Sequence, residues 1–342
     1  MRARFGHRAC AWHSGRVLAI VCPGQGSQSP GILAPWLELP GVGEQLSGFS
    51  SAARLDLVAH GTTSDADTIR DTAVAQPLIV STSLIALRVI LGERAPADVA
   101  AVTAGHSVGE FTAIAVAGVL SDDEAVALVT ARAAAMATAA RAVATGMCAV
   151  VGGDAQEVLA AIEAAGLRPA NINGGGQVVA AGDLASLERL AANPPARARV
   201  IPLQVAGAFH TPFMQSALDA FAPVAAAQRA HDPRLPLLSN ADGRAYSGTP
   251  SGPGAHGSGV EVLRRLAQQI VAPVRWDLCQ ETFAALGVTG LLELAPGGVL
   301  TGLARRSLPG VETVAVKSPS DVDAARDLIA RHGTPRSQES TL

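Results

Sequence analysis

The 342-residue chain carries 26 Lys and Arg against 29 Asp and Glu, a formal net charge of -3, and 49% of its residues are hydrophobic. That apolar content supports a large core in one large or two modest domains, and a near-neutral balance without basic blocks or interleaved aromatics excludes an electrostatic footprint for nucleic acid. Four cysteines, Cys10, Cys22, Cys148 and Cys279, stand far apart with no C-x-x-C spacing and no histidines at metal-ligand intervals, so neither a metal site nor a disulfide framework is expected.

Residues 1–15 read as a leader without periodic pattern, expected to be disordered. Arg2, Arg4 and Arg8 precede Val17-Leu18-Ala19-Ile20-Val21-Cys22, but this apolar run is too short for a signal peptide and reads as the first strand. It breaks at Pro23-Gly24-Gln25-Gly26-Ser27-Gln28, after which a helical region follows. Ala75-Gln76-Pro77 opens a helix of about fifteen residues, with Pro77 near N1, where its missing N–H is an orphan in any case. Residues 99–104 are short and apolar, as a buried parallel strand should be, and they run into Gly105-His106-Ser107-Val108-Gly109 with a helical pattern beyond. Glu110 falls in the first turn of that helix, where its charge suits the dipole. Ser121-Asp122-Asp123-Glu124 reads as a capping box for a helix to about Ala140. No apolar stretch approaches the roughly 18 residues a membrane helix needs, so no membrane partner is expected and a reducing cytoplasm is the default location.

From Met147 the order becomes strand (Met147–Val151), helix (Asp154–Ala165), strands (Ala170–Asn173 and Gln177–Ala181), helix (Leu184–Ala192) and strand (Arg199–Leu203). That βαββαβ order is the ferredoxin-like signature. The fold class is therefore α/β: an α/β-hydrolase-like large subdomain from residues 16–140 and 206–330, with an inserted ferredoxin-like small subdomain at 141–205. The chain returns through His210, a strand near Leu235–Ser239, a helix over Val260–Val271 and a strand near Gly290–Leu294. Residues 242–259 hold six glycines and two prolines and predict a mobile surface loop, and the polar residues 331–342 predict a disordered tail.

Glycines two before and two after Ser107, between a strand and a helix, form a nucleophile elbow, a turn so tight that the hydroxyl projects above the sheet. A serine needs a positioned base, and His210 in Ala208-Phe209-His210-Thr211-Pro212 is the candidate. His106 is the rival, but neighbours on an elbow point apart, which leaves it a supporting role. Gly24-Gln25-Gly26 is not a phosphate cradle, because Ser29 occupies the last position of the six-residue glycine pattern and no G-K-[ST] follows. A glycine-relieved loop at a strand's carboxyl end instead offers backbone N–H groups to an oxyanion, here those of Gln25 and Val108.

PGQGSQ at 23–28, Gln76-Pro77, GHSVGE at 105–110, Arg132, AGAFHTPFM at 206–214, QIVAPVRW at 269–276 and Ala295-Pro296-Gly297 followed by Val299-Leu300-Thr301-Gly302-Leu303 occur in one order. Together they resemble the malonyl-CoA:acyl carrier protein transacylases, the acyltransferases of fatty acid and polyketide synthesis, over about residues 16–318. The resemblance implies a ping-pong reaction in which Ser107, activated by His210, takes malonyl from coenzyme A and surrenders it to the phosphopantetheine thiol of an acyl carrier protein. Malonyl-CoA enters as substrate, and no metal or redox cofactor is implied.

The resemblance also implies that a main-chain carbonyl at Gln269 orients His210, without a catalytic aspartate, and that Arg132 pairs with the malonyl carboxylate. Gln76, Phe209 and His106 would line the same cleft, while Asn171, Asn173 and Asn240 match polar family positions of unassigned role. Phe209 and Val108 match the malonyl-selective members, although one added methyl is worth only about 1 to 3 kcal/mol. Two other readings stay open: an acyl hydrolase that clears misloaded carrier proteins, and a non-catalytic carrier-docking module. Arg132 separates the first of these, since a hydrolase for neutral acyl chains has no use for a buried cation.

Overall fold

The computed structural model describes residues 15–246 and 258–333. The expected leader up to residue 14, the tail from 334 and the loop over 247–257 lie outside the described residues. At their described margins two boundaries move: Ser258 and Gly259 already belong to a helix, and the last helix runs to His332.

The first half of the large subdomain contains β1 (Leu18–Cys22), α1 (Val42–Ala53), α2 (Leu57–Thr62), α3 (Thr72–Leu91), β2 (Val102–Gly105), α4 (Gly109–Val116) and α5 (Asp122–Ala142). The insertion follows as β3 (Thr145–Gly152), α6 (Ala155–Ala164), β4 (Arg168–Gly174), β5 (Gln177–Asp183), α7 (Leu184–Ala192) and β6 (Ala198–Pro202). The chain then returns with α8 (Gln215–Ala226), α9 (Ser258–Gln268), β7 (Val274–Arg275), α10 (Trp276–Ala285), β8 (Gly290–Glu293), α11 (Val299–Ser307), β9 (Glu312–Ala315) and α12 (Val322–His332).

Strands β2-β1-β8-β9 form one sheet, parallel throughout. Every residue of β1 and β2 is buried, which is why both read as unbroken apolar runs rather than as alternating ones. Both functional turns, after β1 and after β2, leave from the carboxyl ends of adjacent strands, the place where ligands bind in open α/β sheets. The capping box is formed: Ser121 accepts from the Glu124 N–H while the Glu124 carboxylate accepts from the Ser121 N–H.

Three expectations are corrected. Helix α3 begins at Thr72, where the Asp71 side chain accepts from the Ala73 N–H, so the cap sets the start and Pro77 lies inside the helix, not near N1. Residues 235–239 form no strand; the segment meets β2 through a single parallel bridge between Thr103 and Leu237, where Pro236 has no N–H to extend a ladder. Finally, α3 and α5 are long and apolar enough, by length and composition, to cross a membrane. The expectation that no stretch comes near that length fails because small and hydroxylated residues such as Ser81, Thr82 and Ser83 disguise α3. Within its apolar window 83% of α3 is buried inside the protein, against neighbours that include α5 and α12.

The second sheet runs β6-β3-β5-β4-β7. Its first four strands are antiparallel in the ferredoxin-like order. The fifth, β7, comes from the returning chain and pairs parallel with β4, Asn171 against Val274 and Ile172 against Arg275. Alternation along β3 and β5 divides their side chains. Cys148, Val150, Val178 and Ala180 face the core under α6 and α7, whereas Met147, Ala149 and Val179 face the large subdomain.

Candidate active site

The elbow between β2 and α4 has the backbone its glycines predict. Ser107 adopts φ 53°, and a Cβ on Gly105 would overlap the backbone of Gly109, while one on Gly109 would overlap the Cys22 carbonyl. Left-handed backbone at a non-glycine residue is costly and concentrates at functional positions. Among the described residues, four non-glycines adopt positive φ, and two of them are Ser107 and His210.

Ser107 Oγ lies 2.7 Å from His210 Nε2, and His210 Nδ1 lies 2.8 Å from the Gln269 carbonyl oxygen. The carbonyl can only accept, so the Nδ1 proton points to it and Nε2 is left free to receive the serine proton. Burial, and next the positive charge of Arg132, push the His210 imidazole down to about 3, so it is neutral and ready as a base across the ordinary pH range. Val108 opens α4 and Gln25 sits in the turn after β1; the backbone N–H of neither donates to a protein acceptor among the described residues.

A cavity of about 240 Å³ is lined by Gln25, Gln76, His106, Ser107, Phe209 and His210, together with the inward faces of β3 and β5 and the start of α11. Val108 and Arg132 stand behind its wall rather than on it. Arg132 is 0% exposed; Nη1 donates to Gln76 Oε1 at 2.7 Å, Nη2 donates to Gln269 Oε1 at 2.7 Å, and the guanidinium lies over the Phe111 ring. Burial pulls it down to about 10, against the opposing pull of Glu110, which leaves it a cation at neutral pH. Gln76, which caps Nη1, is itself part of the cavity lining. The His106 ring does not reach the serine: Nε2 pairs with Asn173 Oδ1 at 2.8 Å, and the ring sits edge-on to Trp276.

Two residues acquire contacts that the sequence does not assign. Asn240 staples the elbow, with Oδ1 accepting from the Ser107 N–H at 2.8 Å and Nδ2 donating to the Gly105 carbonyl at 2.7 Å. Glu110 falls in the first turn of α4, as expected, and is 4% exposed. It accepts from the Asn240 N–H at 2.8 Å and from the Gln269 Nε2 amide, and burial raises it to about 7 against the opposing effect of those donors. No local pattern announces either contact, because the partners are 130 and 159 residues away.

A family model described as "Acyl transferase domain" matches residues 19–252. A malonyl CoA-acyl carrier protein transacylase of Mycobacterium bovis is 48% identical over 312 residues, covering 91% of this chain and 100% of that protein. A crystal structure of MCAT from Mycobacterium tuberculosis superposes with a TM-score of 0.84 at 48% identity, covering 91% of this chain and 99% of that one. A solved complex of a type II polyketide acyl carrier protein with its malonyl-transacylase matches at a TM-score of 0.80 and 30% identity, covering 91% of this chain and 99% of that one.

Proposed function

Because the chain belongs to the acyl transferase family of the malonyl-CoA:acyl carrier protein transacylases, we propose that it carries malonyl from coenzyme A to the phosphopantetheine thiol of an acyl carrier protein through an ester on Ser107. The observation that carries this reading is the line from Ser107 Oγ through His210 to the Gln269 carbonyl, at one wall of a cavity that has a buried arginine behind another.

In the first half-reaction Ser107 Oγ attacks the thioester carbon as its proton passes to His210 Nε2. The backbone N–H groups of Gln25 and Val108 receive the oxyanion. Collapse breaks the carbon–sulfur bond, and the leaving thiolate takes the proton back from His210. The carrier's thiol then attacks the seryl ester by the same steps in reverse, regenerating Ser107.

The malonyl carboxylate would replace Gln76 Oε1 on Arg132 Nη1, where a planar, permanently charged group in a desolvated setting is well matched to it. Phe209, beside the base on the cavity lining, restricts the volume at the acyl group and favours malonyl over methylmalonyl. The coenzyme A thioester is a substrate, and the reaction calls on no further cofactor. A cytoplasmic setting belongs to the same reading; Cys22, Cys148 and Cys279 are free, buried thiols.

Intact mass spectrometry after mixing with malonyl-, methylmalonyl- or acetyl-CoA, followed by holo carrier protein, tests the reading. A transferase gains one malonyl and loses it to the carrier. Loss to water without carrier would indicate the hydrolase, and no gain would indicate a docking module.

A further inference from the structure

The acyl transfer steps leave one buried ionisable group beside the dyad unused: Glu110, on the first turn of α4. Its two oxygens are occupied separately, Oε1 by the Asn240 N–H and Oε2 by Gln269 Nε2. The same Gln269 Nε2 also reaches the Ser107 carbonyl at 3.1 Å, while Gln269 Oε1 receives Arg132 Nη2 and the Gln269 main-chain oxygen receives His210. The nucleophile's backbone, the base and the buried cation therefore meet on one glutamine. A side-chain amide has two ends of nearly equal shape, one donor and one acceptor, and only its neighbours decide which way it faces. Arg132 can only donate, and a carboxylate with two donors on it only accepts, so guanidinium and carboxylate from opposite sides fix the sense of the amide.

Building on the function proposed above, we infer that Glu110 is a positioning residue for the dicarboxylic acyl group: through the Gln269 amide it holds one edge of Arg132, so that the edge now capped by Gln76 is the one presented to the substrate's carboxylate. A glutamine at 110 offers one acceptor oxygen to two buried donors. Its NH₂ must confront either Asn240 or Gln269, and the relief available to Gln269 is to turn over and point its own NH₂ at Arg132, which unseats the guanidinium. Acetyl, without a carboxylate, asks nothing of that edge.

The test is a kinetic comparison of malonyl-CoA and acetyl-CoA loading by the full chain and by Glu110→Gln, Gln269→Met and the double variant. Glu110→Gln is expected to lower kcat/KM for malonyl-CoA about 10- to 100-fold, mainly through KM, the loss that accompanies one hydrogen bond to a charged group. Acetyl-CoA loading should fall by a clearly smaller factor, so that the malonyl-to-acetyl ratio drops by about tenfold or more. In the Gln269→Met background the Glu110→Gln change should have no further effect on the malonyl-to-acetyl ratio, because the amide it acts through is gone. If Glu110→Gln fails to fold, Gln269→Met alone is judged on the same ratio. Equal loss for both substrates, or additive effects in the double variant, overturns the inference. Failure of the underlying reading looks different: the unmodified chain would not load malonyl, or Arg132→Ala would not selectively impair it.

Discussion

Removing the base in His210→Ala should cost about 10²- to 10⁴-fold in loading rate, measured by rapid-quench transfer from labelled malonyl-CoA. Ser107 and His210 are legible as residues because the information about each is local: glycines two before and two after a serine, and a histidine within the nine-residue motif AGAFHTPFM. Asn240 and Glu110 are not, because each acts across the fold on a residue more than a hundred positions away. Arg132 lies between the two cases: it stands within a legible helix, but its enclosure depends on α3 packing beside α5, which brings Gln76, and on the turn after α9, which brings Gln269. Arg132→Ala should depress malonyl loading while sparing or improving acetyl loading, since a carboxylate buried without its partner is heavily penalised; equal loss for the two would contradict its assigned role. The pH dependence follows from the imidazole's depressed affinity for protons. Its folded value of about 3 lies below the ordinary 6.5, so the base stays in its reactive, neutral form as the pH falls through 6.5. With acetyl-CoA, which makes no demand on Arg132, kcat/KM should show no acid limb near 6.5, and an inflection there would show that the imidazole is more solvated than its surroundings indicate.

At the scale of elements, caps and glycines were the readable signals and edges the unreadable ones. The box at Ser121 and the elbow at Gly105 depend on neighbours within a few residues, and both formed as expected. The start of α3 is set by the Asp71 cap rather than by Pro77, and β9 does not stand out in the sequence because a strand with no fully buried residue carries little apolar pattern. The elbow has no slack: a methyl group at Gly105 falls on the first residue of α4. Gly105→Ala should therefore destabilise the fold by about 3 kcal/mol or more, as overpacking into backbone does. It should also abolish loading even where the chain remains folded, because the turn that presents Ser107 must open. Chemical denaturation followed alongside acyl loading checks both, and a stable, active Gly105→Ala would refute the tight-turn account.

Over the whole molecule, the βαββαβ order was visible in the sequence, but the strand that joins the two sheets' territories was not. β7 is two residues long, follows Pro273, and pairs with β4 only because the chain on either side of it belongs to the large subdomain. With the inward faces of β3 and β5 part of the main core, the insertion has no independent boundary on that side. Calorimetry should accordingly show one cooperative transition, and a separate low-temperature unfolding of the small subdomain would contradict that coupling. The same long-range assembly brings Ser107 from the first half of the chain to His210 and Gln269 from the second. The most direct test is peptide mapping of the acid-quenched enzyme after brief exposure to malonyl-CoA. The malonyl ester should be found on the peptide containing Ser107, discharge when holo carrier protein is added before the quench, and be absent in Ser107→Ala. An acyl adduct on any other residue, or one that persists in Ser107→Ala, would contradict the account.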